Sequence, residues 1–449
     1  MQSARRSKIL AAGLICTAIM IFSADLGLAA PSASGTACSQ PDRADAAACA
    51  LRAGASNKPR YEQITARRSK RAPKAAQQPQ ATPQAKAKGP PPRAEFTQEQ
   101  QAAAVIPGIP DARFWADSEE QYRRVLGQLN GPWLALSAGG EDSAFGAGLL
   151  TGLSETGRRP NYSVVTGVSS GALLAPFAFL GSARDADLKR DFTAISAADV
   201  FEDRRTVDSL LDTWPLREFI AKRITRQLLA DIAAEHRRGR RLIVVTTDLD
   251  SGRPVAWNMG AIAAAGSDAA LKLFRDILVA TSAIPGLFPP VPIEVEANGR
   301  RFSEMHADGG LAATIYIAPD PILLANSSPR LPASQVTLIL NSKLMTEFAM
   351  TDRSLVGVLG RSLSIGVKRA SRSAAILIAG AARRSGTDFN VAYVDQGFDV
   401  PSRGLFDPEY MKALFEAGRQ QGRSDDPFRH AMPEATPPQA AAPQRQPAD

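Results

Sequence analysis

Gly167-Val168-Ser169-Ser170-Gly171 decides how this chain is read. These residues join an apolar β-type run, Tyr162 to Val168, to an apolar helical run, Ala172 to Leu180. A serine between two glycines at a strand-to-helix corner has the form of a nucleophile elbow. The turn is so tight that side chains at Gly167 and Gly171 would clash, and glycine has none. The serine oxygen is pushed out of the backbone toward the positive N-terminus of the next helix, where developing negative charge is stabilised. The same five residues also suit a glycine-rich loop that merely packs a helix on a strand, so neighbouring segments must decide.

The first such segment lies about thirty residues upstream. Trp133-Leu134-Ala135-Leu136-Ser137 reads as a short buried strand. Ala138-Gly139-Gly140-Glu141-Asp142-Ser143 follows, and then an apolar helix from Ala144 to Leu153. A glycine pair between strand and helix leaves backbone N–H groups free and pointing outward. Gly139, Gly140 and Glu141 can therefore supply an oxyanion hole for an acyl-transfer intermediate. A phosphate-binding loop would need Lys followed by Ser or Thr at the helix start, and none is there. A dinucleotide fingerprint fits poorly, because Gly146 and Gly148 fall inside the helix.

The second segment is Glu304-Met305-His306-Ala307-Asp308-Gly309-Gly310. An Asp before two glycines can be presented from a sharp loop, placed to take the Ser169 proton directly. The three histidines are His236, His306 and His430. Only His430 follows Asp308, as the acid-then-histidine order of an α/β-hydrolase triad requires. It stands at the start of a Pro/Ala/Gln-rich tail, a poor place for a preorganised base. In an extended strand His306 shares a face with Asp308, either near the site or as an ordinary strand histidine. So few histidines favour a Ser169–Asp308 dyad over a triad.

Together these segments resemble the patatin-like phospholipase family, strongly over Trp133 to Ile317. The family carries a glycine-rich oxyanion loop, a GxSxG elbow and a late Asp-Gly-Gly or Asp-Gly-Ala. Here these correspond to Gly139-Gly140, Ser169 and Asp308 in the same order. Thr246 to Gly252 and Ser282 to Pro290 are further family-like text. One departure stands out. The family loop usually places a basic residue where this chain has Asp142. The resemblance implies a layered α/β fold, a mostly parallel sheet flanked by helices, and hydrolysis of a lipid ester through an acyl-enzyme; no metal-ligand cluster or cofactor motif stands in the sequence. Ile284 to Ile293 and the helix after Ser169 would line an acyl pocket or simply form core. The alternatives are a non-lipid esterase or acyltransferase on the same site, and a non-catalytic lipid-binding protein.

The rest of the 449 residues divides by composition. Residues 1–29 read as a signal peptide: Arg5, Arg6 and Lys8 precede apolar Ile9 to Phe22, and Gly27-Leu28-Ala29-Ala30 offers small residues for cleavage. An uncleaved anchor is the alternative. Cys38 and Cys49 form an even pair that could be bridged in an exported chain. Residues 30–104 read as a disordered linker, too poor in large apolar groups to fold alone. From Arg52 to Arg93 it carries eleven basic side chains against Glu62, a balance of +10 that exceeds the whole chain's +8. Such a run suits either peripheral contact with anionic lipid or a solvated spacer. Export argues against a nucleic-acid partner. Residues 105–425 alternate strand and helix signals, which predicts an α/β layered body with its motifs in 131–320. Residues 426–449 read as a disordered tail.

Overall fold

In the computed structural model, residues 92–326 and 330–433 are described. The signal-like segment, both late cysteines and nearly all of the basic run lie outside them. Helices α1 (Gln98–Ala102) and α2 (Glu119–Leu126) flank strand β1 (Arg113–Trp115). There follow β2 (Pro132–Leu136), α3 (Ser143–Glu155), β3 (Val164–Val168) and α4 (Ser170–Leu180). Helices α5 (Asp185–Thr193), α6 (Ala197–Val200), α7 (Trp214–Arg223) and α8 (Arg226–Arg237) lead to β4 (Arg241–Asp248) and β5 (Arg253–Asn258). Then come α9 (Met259–Ala264), α10 (Asp268–Ala280), and the β6 (Val291–Ala297) and β7 (Arg300–Asp308) hairpin. The last elements are α11 (Asp320–Leu324), β8 (Gln335–Lys343), α12 (Leu355–Ser385), β9 (Asp388–Val394) and α13 (Pro408–Arg423).

The strands run in the order β1-β5-β4-β3-β2-β8-β9, with β7 pairing β4 and β6. The pairs β4–β3, β3–β2, β2–β8 and β8–β9 are parallel; β1, β5, β6 and β7 add antiparallel edges. Strands buried on both faces need apolar residues at consecutive positions. Along β2, Leu134 and Leu136 face one core while Trp133 and Ala135 face the other. Along β4, Leu242 and Val244 join the first core and Ile243 and Val245 the second. The first core is closed by α3, α4, α8, α10 and α13, and the second by α2, α11 and the C-terminal half of α12. This is the layered α/β architecture expected from the alternation of signals.

Two domain limits need correction. The folded body begins before residue 105. The Arg93 guanidinium pairs with Asp250 at 2.6 Å, and Phe96 stacks on Phe302 with ring centroids 4.4 Å apart. The Gln101 amide donates to buried Asp248. A few anchors hold a segment that composition alone assigns to a linker. The body also runs past 425: Arg429 bridges Val391 in antiparallel fashion, and His430 Nδ1 lies 2.9 Å from Asn390 Oδ1.

Candidate active site

The elbow is formed as the glycines demand. Ser169 follows β3 with φ 54° and ψ −131°, a left-handed backbone that an L residue adopts only under constraint. A Cβ at Gly167 would sit 2.6 Å from Ala172 Cα, and one at Gly171 would sit 2.5 Å from the Leu136 and Ser137 carbonyl oxygens. The constraint on Ser169 comes from α10. The Ser169 N–H donates to Thr281 Oγ1 at 2.9 Å, and the Thr281 hydroxyl donates to the Val245 carbonyl at 2.5 Å. Thr281 thus ties the elbow to β4. No motif marked it in the sequence, since its role arises only when α10 reaches the sheet. The neighbouring Ser170 hydroxyl is engaged elsewhere, 2.6 Å from that of Ser143.

Asp308 ends β7, which β4 holds in register through the Thr246–Asp308 pair. The Ser169 hydroxyl donates to Asp308 Oδ2 at 2.7 Å, and the Gly310 N–H donates to Oδ1, also at 2.7 Å. The backbone of Asp308 is fixed as well: its carbonyl accepts from the Thr247 hydroxyl at 2.9 Å, and its N–H donates to the Ala283 carbonyl at 2.9 Å. Gly309 is needed for space, because a Cβ there would lie 2.3 Å from the Val245 carbonyl oxygen. The family-like stretches around Thr247 and Ala283 therefore have a physical task, holding this carboxylate. Burial pushes the Asp308 carboxyl up to about 6, against the pull of the Ser169 and Gly310 hydrogen bonds. It is still mostly ionised at neutral pH.

The glycine loop after β2 reaches the same place. A Cβ at Gly139 would meet the Asn341 carbonyl oxygen at 2.1 Å, so the loop lies flat on β8. Gly140 takes φ +59°, which glycine adopts freely, and lines the cavity with Ser169. Glu141 and Asp142 both turn toward the start of α13. The Glu141 carboxylate accepts from the backbone N–H groups of Phe406 and Asp407, and the Tyr410 hydroxyl donates to Asp142 Oδ1 at 2.6 Å. Desolvation raises both acids, Glu141 to about 7. Where the family usually has a cation, this chain has an acid that ties the loop to its last helix.

An apolar cavity of about 80 Å³ opens on Ser169, among Leu173, Phe177, Ile284, Phe288 and Phe406. It is small beside the roughly 300 Å³ of ordinary ligand pockets, so a long acyl chain enters only if lining side chains move. Phe406 is itself strained, at φ 57°. No histidine side chain hydrogen-bonds Ser169 or the Asp308 carboxylate. His306 is fully buried, 2.9 Å from Thr246 Oγ1 and 3.3 Å from Glu304 Oε2, with its ring on the edge of Trp257. His430 meets Asn390 near the start of β9, whereas Ser169 follows the far end of parallel β3.

Ser169, Asp308 and the Gly139–Gly140 loop gather outside the carboxyl ends of the parallel strands, the usual ligand crevice of such sheets. The model of the family described as patatin-like phospholipase matches residues 134–319, which contain all three. Residues 134–319 are a patatin-like phospholipase domain. The family implies lipid acyl hydrolysis. No curated protein matches the chain. Among solved structures, the crystal structure of VipD from Legionella pneumophila aligns with 13% identity and a TM-score of 0.34. That alignment covers 66% of this chain and 66% of VipD, just under two thirds of the latter's length. Strands β8 and β9 and helices α12 and α13 lie beyond the matched residues, yet they complete the sheet and brace the glycine loop of the patatin-like domain.

Proposed function

We propose that this protein is an exported lipid acyl hydrolase in which Ser169 is the nucleophile and Asp308 the only general base. The observation that carries the reading is the 2.7 Å hydrogen bond from the Ser169 hydroxyl to Asp308 Oδ2, at a left-handed elbow beside an apolar cavity. Asp308 accepts the proton as Ser169 Oγ attacks the ester carbonyl carbon. The oxyanion is held by backbone N–H groups of Gly139, Gly140 and Glu141. As the carbonyl re-forms, the ester C–O bond breaks and Asp308 returns the proton to the leaving alcohol or lysolipid. Water then attacks the acyl-enzyme with Asp308 again as base, and the free acid leaves as Ser169 regains its hydrogen. The signal-like segment 1–29 supports export, and N-terminal sequencing should find a start near Ala30 or Pro31.

The deciding experiment is labelling with a fluorescent fluorophosphonate. Wild type and Ser170→Ala should label, and Ser169→Ala should not. Full labelling of Ser169→Ala would remove the proposed nucleophile. Product analysis with an added acceptor alcohol separates hydrolysis from acyl transfer.

A further inference from the structure

The first half of α12 is at odds with its surroundings. The helix has 31 residues, and its buried ones, Ser371, Ala375, Ile378, Ala381 and Ala382, all fall in the second half. In the first half Leu359, Leu363 and Val367 pack partly against the cores, but other apolar side chains stay exposed. Leu355 is 65% exposed, and Val356 and Val358 are exposed beside it. The segment leading into the helix presents Phe348 at 92% and Met350 at 85% exposure. Scattered surface leucines are ordinary, but a contiguous apolar set marks an interaction surface.

Its charge is one-sided. Residues 347–387 contain seven Arg or Lys against two acids, Glu347 and Asp352. Arg384 is used as a cap on the Leu323 and Ala325 carbonyls, Arg361 reaches the Glu347 carbonyl, and Lys368 faces Glu347. Arg353 and Arg369 are exposed. An apolar strip flanked by basic residues on a helix is the pattern that lies in a lipid–water interface. Among the described residues no helix is long and apolar enough to cross a membrane.

The surface also borders the cavity. Leu359 lies against Gly286, 3.6 Å from the position of a Cβ there. Gly286 sits between Ile284 and Phe288, which line the cavity of Ser169. Exposed Leu405 precedes Phe406 on another wall, and exposed Trp214 begins α7, which supplies Leu216.

We propose that Phe348, Met350 and the N-terminal half of α12 dock on an anionic lipid bilayer, beside the mouth through which a lipid ester reaches Ser169. The proposal rests on the lipid-hydrolase reading for its purpose, not for its test. The occupant is a bilayer because apolar and cationic groups are combined on α12, which carries no acid, while of the two acids just before it Glu347 is paired with Lys343 and Lys368 and only Asp352 opposes the positive charge. This contact is separate from the basic linker. A linker acts through charge alone and is screened by salt, whereas inserted apolar side chains are not.

The experiment uses the full chain and vesicles of phosphatidylcholine alone or equimolar phosphatidylcholine and phosphatidylglycerol. Co-sedimentation is read at low and high salt, beside turnover of a soluble short-chain ester. The Phe348→Ser/Met350→Ser variant should bind the anionic vesicles about tenfold more weakly at both salt levels. Arg369→Glu should weaken binding to the anionic vesicles only. Both should turn over the soluble ester like wild type. In Phe348→Trp, emission should shift to shorter wavelength on adding vesicles. Unchanged vesicle binding by the double variant, or no emission shift, would overturn the proposal. So would light scattering in which wild type is an oligomer that the double variant breaks apart, because the face would then join two copies. Ser169→Ala should still bind vesicles. If it also keeps soluble-ester turnover, the hydrolase reading falls while the docking face stands.

Discussion

Asp308 is asked to be both buried and ionised, and the two demands conflict. Its folded carboxyl is raised to about 6 by burial, above an ordinary aspartate near 3.8. A base must be deprotonated, so soluble-ester turnover should fall on acidification with a midpoint near pH 6, and Asp308→Asn should lose most activity at every pH. Stability should move the other way. A raised carboxyl binds its proton more readily folded than unfolded, so the ionised form costs stability once pH exceeds about 6. Asp308→Asn should therefore be more stable than wild type at pH 8, by up to about 3 kcal/mol, with the advantage vanishing toward pH 4. Thermal melts of the two proteins across that range check this. Thr281→Val should leave two backbone groups unpartnered, the Ser169 N–H and the Val245 carbonyl, and cost about 1–3 kcal/mol. The rate of the chemical step should fall with little change in KM, because Thr281 shapes the elbow and is not among the cavity residues. Ser169 and Asp308 were legible because glycines mark the tight turns that present them. Thr281 was not, since its partners lie at residues 169 and 245 and nothing near it repeats.

At the scale of elements, the tightest junction is between α3 and α13. A Cβ at Gly148 would fall 1.9 Å from the Phe415 carbonyl oxygen, and one at Gly152 would fall 2.2 Å from that of Arg419. From the other side, Gly418 and Gly422 meet the Phe145 and Leu149 carbonyls at 2.2 and 2.4 Å. Four glycines, spaced by four on each helix, bring the two backbones together. Helix α3 begins at the glycine loop, and α13 begins where Glu141 and Asp142 are anchored. Gly148→Val should cost about 3 kcal/mol or more by overpacking and should also lower turnover, since separating the helices moves the loop. Denaturant unfolding of the variant beside a soluble-ester assay tests both parts. The packing explains why α13 runs to Arg423 through Gly418 and Gly422. Glycines there look like a helix stop, while in the fold they admit a neighbour. Helices α3 and α4 were legible as apolar runs following their glycine turns. Strand β1 was not, being a short edge whose pairing partner β5 is distant in sequence, and β6 is interrupted by Pro292 although its partner β7 follows directly in a hairpin.

For the whole molecule, composition separated the basic N-terminal stretch from the folded body but misplaced the border. Arg93 and Phe96 read as linker, yet each has a partner on the body. Deleting residues 52–91 should leave the melting temperature and soluble-ester turnover unchanged, while reducing binding to anionic vesicles at low salt. Extending the deletion through residue 97 should lower the melting temperature, because the ion pair with Asp250 and the stack on Phe302 go with it. Calorimetry of the two truncations decides where the body starts.

The strand order has a consequence for biosynthesis. Strand β2 lies between β3 and β8, but β8 starts at Gln335, long after β2 has been made. Until then the nascent chain holds an apolar strand with one edge unpaired, an exposed template for pairing with other chains. A ribosome stalled shortly before residue 335 should therefore carry a protease-sensitive chain that holdase chaperones capture, whereas release of the finished chain should end that capture. The maturation of this protein would then be timed by its last quarter rather than by its motif-bearing middle.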